Sequence, residues 1–497
     1  MYVLVDAKLP EWVLDAARKY GTVKLFIHAR DVLPRGPTIA VFGTLNKGLL
    51  KEVRAMAASM DVNPTLLYPV PVGHLMGHPD AEPAVNALLA FSSSWARDVA
   101  RFLPKMKAVI VPPRGRVSRR ELLSPKSWVK YPESPITVGG CSDALANACR
   151  RCVSVCREKA IDISDSGPSV RTLTCVECGL CAAVCPIGSL QVPVFSDQVV
   201  GSLSLLSPPP ERAASWVLVF TCDRGIEEVS NLKLGKNAPL LLPVRVPCVA
   251  SIGYYALLAG LNAGLDALFL FCPGDDCVRE WAVNSMSYVV DAAAAISARY
   301  DVKVALVRGD ERALLSLARG AGTSRARERR AALMLDRRRD TLALLSAYAR
   351  EGDALPGLLY DVEVGEQCTM CGVCADRCPT GSLKLRHSDD AVRLFFDARM
   401  CIGCGACEGS CPEHAIRVRE HTYSSYLLSA MTKRKDEIVK CKVCGAPLGP
   451  KSMIDRVAEK LREKGLDKLA ERAYLCSTCK LLKSLSPVHT AGKAGES

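Results

Sequence analysis

Cys401-Ile-Gly-Cys404-Gly-Ala-Cys407-Glu-Gly-Ser-Cys411-Pro412 is the stretch that decides the fold of this chain. Three similar runs precede it, formed by Cys368, Cys371, Cys374 and Cys378; by Cys175, Cys178, Cys181 and Cys185; and by Cys141, Cys149, Cys152 and Cys156. Thiolates two residues apart can wrap a short loop around one cubane iron–sulfur cluster. A proline after the fourth cysteine suits the first turn of a helix, where its missing N–H costs nothing. Four cubane sites are therefore predicted.

The spacing C-x2-C-x2-C-x3-C-P resembles that of bacterial two-cluster ferredoxins, in which the fourth cysteine of each run ligates the cluster of the other run. The resemblance implies four crossed ligand sets: Cys141, Cys149, Cys152 and Cys185; Cys175, Cys178, Cys181 and Cys156; Cys368, Cys371, Cys374 and Cys411; and Cys401, Cys404, Cys407 and Cys378.

The amino-terminal pair of runs departs from this pattern twice. Seven residues separate Cys141 from Cys149, and Arg157 stands where proline is usual. A cubane remains the prediction because four cysteines are present, and a three-iron centre without Cys141 is the alternative. Leu173 and Thr174 predict a strand entering the second loop.

Four further cysteines lie at the ends of predicted strands in the middle of the chain. Cys222 follows Trp216–Thr221, Cys248 follows the strand 240–246, and Cys272 and Cys277 follow Ala267–Phe271. The carboxyl ends of parallel strands gather at one edge of a sheet, so these thiols are predicted to share a metal site. Four buried structural thiols are the alternative.

The residues around these cysteines carry a second resemblance. Phe220-Thr-Cys222-Asp, Arg245-Val-Pro-Cys248 and Leu270-Phe-Cys272-Pro-Gly-Asp-Asp-Cys277 resemble the delta subunit of methyl-viologen-reducing hydrogenase over roughly 100 residues. The resemblance implies a 2Fe–2S cluster and a link between hydrogenase or formate dehydrogenase and heterodisulfide reductase. That family usually has additional cysteines beside the first one, whereas this chain has Cys222 alone there.

The carboxyl-terminal region contains two C-x-x-C pairs, Cys441 with Cys444 and Cys476 with Cys479. Two such pairs suit a tetrahedral four-thiolate site, most often zinc. A rubredoxin-like iron or a fifth cubane are the alternatives. The residues between the pairs predict one helix, Met453–Leu469.

The formal charge of +13 favours nucleic acid or an anionic membrane at first sight. Six four-thiolate sites would bring about −12, leaving a net charge of about +1, so nucleic-acid binding is not predicted. Asn262 and Asp266 interrupt the longest apolar stretch, 246–271, which predicts a buried helix and strand rather than a membrane span. Cysteines in metal-ligand spacing and an amino terminus without a leader favour the cytoplasm.

The predicted fold is multi-domain α/β and α+β, with parallel α/β layers, two ferredoxin-like dicluster units and a zinc-ribbon-like module. The segments are an α/β domain of unknown role (1–130), a dicluster unit (131–200), a hydrogenase-delta-like α/β domain (201–310), a solvated basic helical connector (311–358), a second dicluster unit (359–425) and the carboxyl-terminal module (426–497). His74, His78 and Asp80 are interpreted as an ordinary loop rather than as ligands.

The predicted function is that of an iron–sulfur electron-transfer subunit or adaptor, whose partners are the other subunits of an oxidoreductase complex of hydrogenase, formate dehydrogenase or heterodisulfide reductase type. A catalytic subunit binding a flavin or substrate on the amino-terminal layer is one alternative. A redox-sensing assembly or regulatory protein is another.

Overall fold

The computed structural model describes residues 2–26, 37–43, 45, 49–59, 63–106, 109–110, 129–130, 133–274, 277–322 and 330–485. The chain forms two compact units. The first comprises Met1–Leu358 with Thr422–Ser424, and the second comprises Leu359–His421 with Ser425–Ser497.

The first unit begins with a four-stranded parallel sheet in the order β2-β1-β3-β4. Its strands are β1 Tyr2–Asp6, β2 Thr22–Phe26, β3 Thr38–Phe42 and β4 Leu67–Pro71, and the helices that follow β1, β3 and β4 are Glu11–Arg18, Leu49–Ser59 and Ala81–Val99. Every residue of β3 and β4 is buried, as expected for parallel strands covered on both faces. The predicted parallel α/β layer is confirmed. Val109–Ile110 (β5) and Val129–Lys130 (β6) form a separate antiparallel pair.

A second parallel sheet lies in the middle of the first unit, in the order β12-β11-β13-β14. Its strands are β11 Trp216–Thr221, β12 Leu240–Arg245, β13 Ala267–Cys272 and β14 Lys303–Arg308, and its helices are Asp223–Ser230, Tyr254–Asn262, Glu280–Asn284, Ser287–Ala298 and Glu311–Arg319. The apolar stretch near residue 260 is thus a buried helix and a buried strand, as predicted. None of the helices in the described part of the chain is long and apolar enough to cross a membrane.

The loop that contains His74, His78 and Asp80 contacts both parallel layers. His74 Nε2 contacts the carbonyl oxygen of Leu241 at 3.0 Å, and His78 Nε2 contacts that of Ala238 at 3.2 Å. Asp80 accepts hydrogen bonds from the N–H groups of Ala213 and Ala214. All three polar side chains are buried in the contact between the layers, a packing role that the interpretation as an ordinary loop did not include.

The first dicluster unit has two short antiparallel pairs. The terminal strands β7 Ile136–Thr137 and β10 Leu190–Gln191 pair with each other, and β8 Ile161–Ser164 forms a hairpin with β9 Gly167–Val170. The helices are Asp143–Cys149, Arg151–Ser154, Leu180–Ala183 and Asp197–Gly201. The predicted strand at Leu173 and Thr174 is wrong. The chain turns there, because the N–H groups of Thr174 and Cys175 both bond to the carbonyl of Arg171.

The segment predicted as a solvated connector packs into the first unit. Leu314 and Ala318 of the helix Glu311–Arg319 lie in the core of the central sheet. The helix Arg337–Tyr348 buries Leu344, Leu345 and Tyr348. Residues 323–329, the start of the basic run, lie outside the described part. The prediction failed for these helices because each buries an apolar face and because Arg337 pairs with the distant Asp197. Local composition reveals neither contact.

The second unit repeats the dicluster pattern. Strands β15 Tyr360–Val364 and β18 Ile416–Glu420 form the terminal pair, and β16 Leu383–His387 and β17 Ala391–Asp397 form the hairpin. The helices Val373–Asp376 and Ala406–Ser410 follow the second cysteine of each loop.

The carboxyl-terminal module shares a sheet with this hairpin, since β19 Ala430–Lys440 pairs with both β17 and β20 Pro447–Pro450. Its helices are Lys451–Glu463, Asp467–Arg472 and Ser477–Leu485. The single predicted helix Met453–Leu469 is therefore wrong. Gly465 adopts a positive φ of 71°, which ends the first helix before the second begins.

Candidate metal centres

The structure brings the sixteen ferredoxin-type cysteines into four groups, which we call pockets A to D. Pocket A is Cys141, Cys149, Cys152 and Cys185; pocket B is Cys156, Cys175, Cys178 and Cys181; pocket C is Cys368, Cys371, Cys374 and Cys411; and pocket D is Cys378, Cys401, Cys404 and Cys407. Each pocket combines three cysteines of one run with the fourth cysteine of the partner run. Metal ligation by these groups stays a prediction.

Pockets B and C are cavities whose walls contain all four thiols of the group. The remaining lining is largely apolar, with Val155, Ile161 and Leu180 in pocket B and Val364, Leu385 and Ile416 in pocket C among the contacts. Such walls limit the access of water to the sulfur atoms, although Cys371 of pocket C is exposed. The donor set and the apolar walls fit a buried iron–sulfur cluster.

In pockets A and D the thiols influence one another electrostatically. Burial and the neighbouring Cys185 and Cys149 raise the pKa of Cys141 to about 11. Burial, followed by Cys401 and Cys378, raises the pKa of Cys407 to about 12. Four neighbouring thiolates would repel one another, so the four thiols cannot all ionise without a positive charge nearby. A bound cation would supply that charge.

One backbone feature recurs in all four loops. The residue after the second cysteine has a positive φ in each, and these residues are Arg150 at 46°, Gly179 at 71°, Gly372 at 84° and Gly405 at 75°. The third residue after the fourth cysteine does the same, at Lys159, Gly188, Gly381 and His414. The first run therefore forms the same loop as the others, with Cys149 in the second position.

The extra residues between Cys141 and Cys149 form the helix Asp143–Cys149. The Ser142 side chain caps it by accepting a hydrogen bond from the N–H of Leu145 at 3.3 Å. The insertion is thus folded, and Cys141 stays within the electrostatic range of Cys185 and Cys149.

Backbone N–H groups point at several of the sulfur atoms. The N–H of Glu177 donates to Cys175 Sγ, and those of Ala160 and Ala415 donate to Cys156 and Cys411 Sγ, each at 3.3 Å. Each alanine lies four positions after the fourth cysteine of its run, Ala160 in the first run of one unit and Ala415 in the second run of the other. Such bonds favour the thiolate form and raise the potential of a bound cluster.

The central group contains three thiols at three strand ends. Burial raises the pKa of Cys222, with Asp223 and Cys272 acting in the same direction. Burial also raises the pKa of Cys248 to about 12, and Cys178 and Cys222 contribute to the increase. The structure therefore brings these central thiols together, as expected from the sheet topology, and places Cys248 near pocket B. Cys277 is exposed and follows the undescribed residues 275 and 276, so its part in the site stays a prediction.

Arg279 connects the central group with pocket B. Its Nε donates to the carbonyl oxygen of Val176 at 2.5 Å, and its Nη1 donates to that of Pro247 at 2.6 Å. Its Nη2 reaches Glu177 Oε2 at 3.3 Å. One guanidinium thus holds the loop before Cys248 against the loop between Cys175 and Cys178.

A buried ion network lies at the same edge of the central sheet. Arg245, the last residue of β12, bonds to Asp223 Oδ1 at 3.0 Å and to Glu133 Oε2 at 2.8 Å. Burial by itself would raise the pKa of Asp223, but Arg245 and Arg54 outweigh it and hold that pKa well below its usual range. The network links Asp223, at the start of the helix after Cys222, to Arg245 of β12 and through it to Glu133.

The carboxyl-terminal group is the most compact. The Sγ atoms of Cys441, Cys444, Cys476 and Cys479 all lie within 4.8 Å of one another, and those of Cys444 and Cys476 are 3.6 Å apart. A tetrahedral ion with metal–sulfur bonds of about 2.3 Å requires sulfur separations of about 3.8 Å. The N–H groups of Cys444, Cys476 and Val443 lower the pKa of Cys441 to about 6. This group could hold a single metal ion.

Two segments of the chain match known families. Residues 147–189 match the 4Fe-4S dicluster domain family, and residues 394–417 match the 4Fe-4S binding domain family. The first match spans every cysteine of pockets A and B except Cys141. No match to the chain was found among curated proteins. The chain thus contains two 4Fe-4S ferredoxin-type domains, and these indicate an iron–sulfur electron-transfer role.

The sequence did not indicate Arg279, Trp281 or Arg337 as parts of these sites, and it indicated Arg245 only as the first residue of the motif Arg245-Val-Pro-Cys248. Arg337 is a residue of the supposed connector, yet its Nη1 donates to the carbonyl oxygen of Cys185 at 3.2 Å. No local motif marks such residues, because their partners lie far away in the chain. The spacing of Cys149, Cys152 and Cys156 was a detectable signal, since it aligns the first run with the other three.

Proposed function

We propose that this chain is the electron-transfer subunit or adaptor of a larger oxidoreductase complex, with a 4Fe–4S cluster in each of pockets A to D. The carrying observation is the grouping of sixteen cysteines into four pockets with crossed membership. Bound clusters of this type accept and release one electron at a time. The protein supplies thiols and N–H donors, and apolar walls surround pockets B and C.

A 2Fe–2S cluster is proposed for the central group. In a parallel sheet of order β12-β11-β13-β14, the chain reverses its direction of winding between β11 and β13. Ligands of such sheets bind at the carboxyl ends beside this point, which is where Cys222 and Cys272 lie. The resemblance to the hydrogenase delta subunit supports the same cofactor, and with it a complex of hydrogenase, formate dehydrogenase or heterodisulfide reductase type.

Electrons would pass between pocket B and the central group. Cys178 and Cys222 both contribute to the raised pKa of Cys248, so its sulfur lies within electrostatic range of both sites. Arg279 fixes the two loops to each other through the carbonyls of Val176 and Pro247.

A structural zinc ion is proposed for the carboxyl-terminal group. The separation of 3.6 Å between Cys444 and Cys476 Sγ suits a single tetrahedral ion and is too short for opposite corners of a cubane. Because β19 runs from the dicluster hairpin directly to Cys441, such an ion would hold the end of that strand in place.

Metal analysis and Cys272→Ser test the proposal together. Anaerobically purified protein should contain about 18 iron and about one zinc per chain, as four cubanes, one 2Fe–2S cluster and one four-thiolate zinc site require. Cys272→Ser should remove about two iron and one electron paramagnetic resonance (EPR) signal while the cubane signals persist. About 8 iron in fully reconstituted protein would refute the four-cubane count. Identical iron contents and spectra for wild type and variant would refute the central cluster.

A further inference from the structure

We propose that Trp281, a residue of the central layer, completes pocket B and donates its indole N–H to the iron–sulfur cluster bound there, raising the reduction potential of that cluster. The inference rests on the proposed function, since it requires a cluster in pocket B. The hydrogen-bond donor to this cluster would then come from outside the ferredoxin-type domain.

The position of the indole is the first observation. Trp281 lines the same cavity as Cys156, Cys175, Cys178 and Cys181, although it follows the last of these in sequence by 100 residues. It belongs to the short helix Glu280–Asn284, whose Ala282 and Val283 are buried in the central layer. The central layer therefore forms part of the wall of pocket B.

The state of the indole N–H is the second observation. Trp281 Nε1 is buried, and no acceptor among the described residues lies within hydrogen-bond range. Buried donors in folded proteins are nearly always paired, so an orphaned one requires an explanation. A cluster in pocket B would bring sulfide acceptors into the cavity that this side chain lines.

The chemistry of the walls leaves few competing acceptors. Most side chains around the cavity are apolar, such as Val155, Ile161 and Val170. Glu158 also lines the cavity and is its one carboxylate among the described lining residues. The thiolate and sulfide sulfurs are the other acceptors available to the indole.

The side chain is also held in place. Arg279, two residues earlier, is bonded to Val176, Glu177 and Pro247, so the start of the helix is fixed against the loop of pocket B. Gly179 in the same loop packs against Ser251, since a Cβ added there would lie 2.5 Å from the Ser251 Cβ. The indole therefore faces the pocket from a rigid contact.

A hydrogen bond to a cluster sulfur favours the reduced state, because reduction adds one negative charge to the cluster. The couple is a one-electron reduction, with dithionite as the electron source in the experiment below. Each tenfold change in the reduction equilibrium equals 59 mV for a one-electron couple. Loss of the N–H should therefore lower the midpoint potential of this cluster and leave the other clusters unchanged.

The test is Trp281→Phe, which keeps an aromatic ring and removes the N–H. The signal of pocket B is first identified as the one missing in Cys181→Ser. Its midpoint potential is then measured by anaerobic EPR titration, and its exchangeable protons by electron–nuclear double resonance (ENDOR) in H2O and D2O. Trp216→Phe is the matched control, because Trp216 Nε1 is also buried without a partner but lies at the opposite end of the central sheet.

The expected result is a lower midpoint potential and the loss of one exchangeable-proton coupling in Trp281→Phe alone, with unchanged iron content. Glu158→Gln should retain the coupling. A fully iron-loaded Trp281→Phe protein with unchanged potential and coupling overturns the inference. A shifted potential with the coupling retained also overturns it, since packing then explains the shift. If Cys181→Ser loses no iron and no signal, the proposed cluster of pocket B fails instead, and this inference fails with it.

Discussion

Arg337 Nε donates to Asp197 Oδ1 at 2.8 Å, although the two residues are 140 positions apart in the chain. Both side chains are largely buried, with 13 % and 7 % of their surfaces exposed. The same guanidinium donates to the carbonyl oxygen of Cys185, a thiol of pocket A. A paired positive charge thus lies beside this pocket, and it joins the helix Arg337–Tyr348 to the dicluster unit.

Arg337→Gln should lower the free energy of unfolding of the first unit by about 3–5 kcal/mol, because Asp197 is then left buried without its partner. Anaerobic thermal or urea unfolding measures the loss. The double variant Arg337→Gln/Asp197→Asn carries neither charge and should recover part of the stability. If the double variant is as unstable as the single one, packing rather than the ion pair explains the effect.

Gly179→Ala should be more damaging than Gly405→Ala, although both glycines follow the second cysteine of their loops. Each has a positive φ, so each alanine adds about 1–2 kcal/mol of backbone strain. The new Cβ would meet nothing within 4 Å at Gly405 but would lie 2.5 Å from the Ser251 Cβ at Gly179.

Unfolding temperatures and iron contents of the two variants provide the comparison. Gly179→Ala/Ser251→Gly should restore part of the loss, because the second change removes the atom that clashes. Equal effects of the two single variants would show that the close contact between Gly179 and Ser251 does not affect the free energy of unfolding.

The stability of the first unit should depend on pH through His74. Burial lowers the pKa of His74 to about 4, while the bond to Leu241 partly opposes this. The unfolded chain takes up this proton below about pH 6.5, and the folded chain takes it up only near pH 4. Folding is therefore disfavoured as the pH falls, by about 1.2 kcal/mol at pH 5.5 relative to neutral pH.

His74→Gln should remove that part of the pH dependence, since its amide can still donate to the Leu241 carbonyl. Anaerobic urea midpoints at pH 7.5 and 5.5 measure it. His387→Gln is the matched control, because His387 is exposed on β16 and its replacement should leave the pH dependence as in the wild type. The prediction would be contradicted if His74→Gln lost as much stability as the wild type between pH 7.5 and pH 5.5.

Cys441→Ser should abolish the carboxyl-terminal metal site and leave the iron–sulfur clusters intact. Its thiol is buried among the other three and accepts a hydrogen bond from the N–H of Cys476 at 3.3 Å. Elemental analysis should show the loss of about one zinc per chain with no change in iron. Loss of one iron instead would identify a rubredoxin-like site, and loss of several would identify a further cluster.

The sequence alone predicted the features that are encoded locally. The spacing of Cys401, Cys404 and Cys407 predicts a ligand loop because two-residue gaps leave the backbone little choice. The continuous apolar runs of β11 and β13 predict parallel strands buried on both faces. From these runs, the placement of Cys222 and Cys272 at one sheet edge followed directly.

Only the tertiary structure decided the contacts between distant segments. It placed Cys141 beside Cys185 across a helical insertion, Arg337 beside Asp197, and Trp281 in the wall of pocket B. It also showed that the side chains of His74 and His78 are buried between two layers. Each of these outcomes depends on which apolar faces pack together. The sequence around one residue does not specify the surface that will cover its side chain. Local spacing therefore determined how the cysteine groups are built, whereas packing determined what surrounds them.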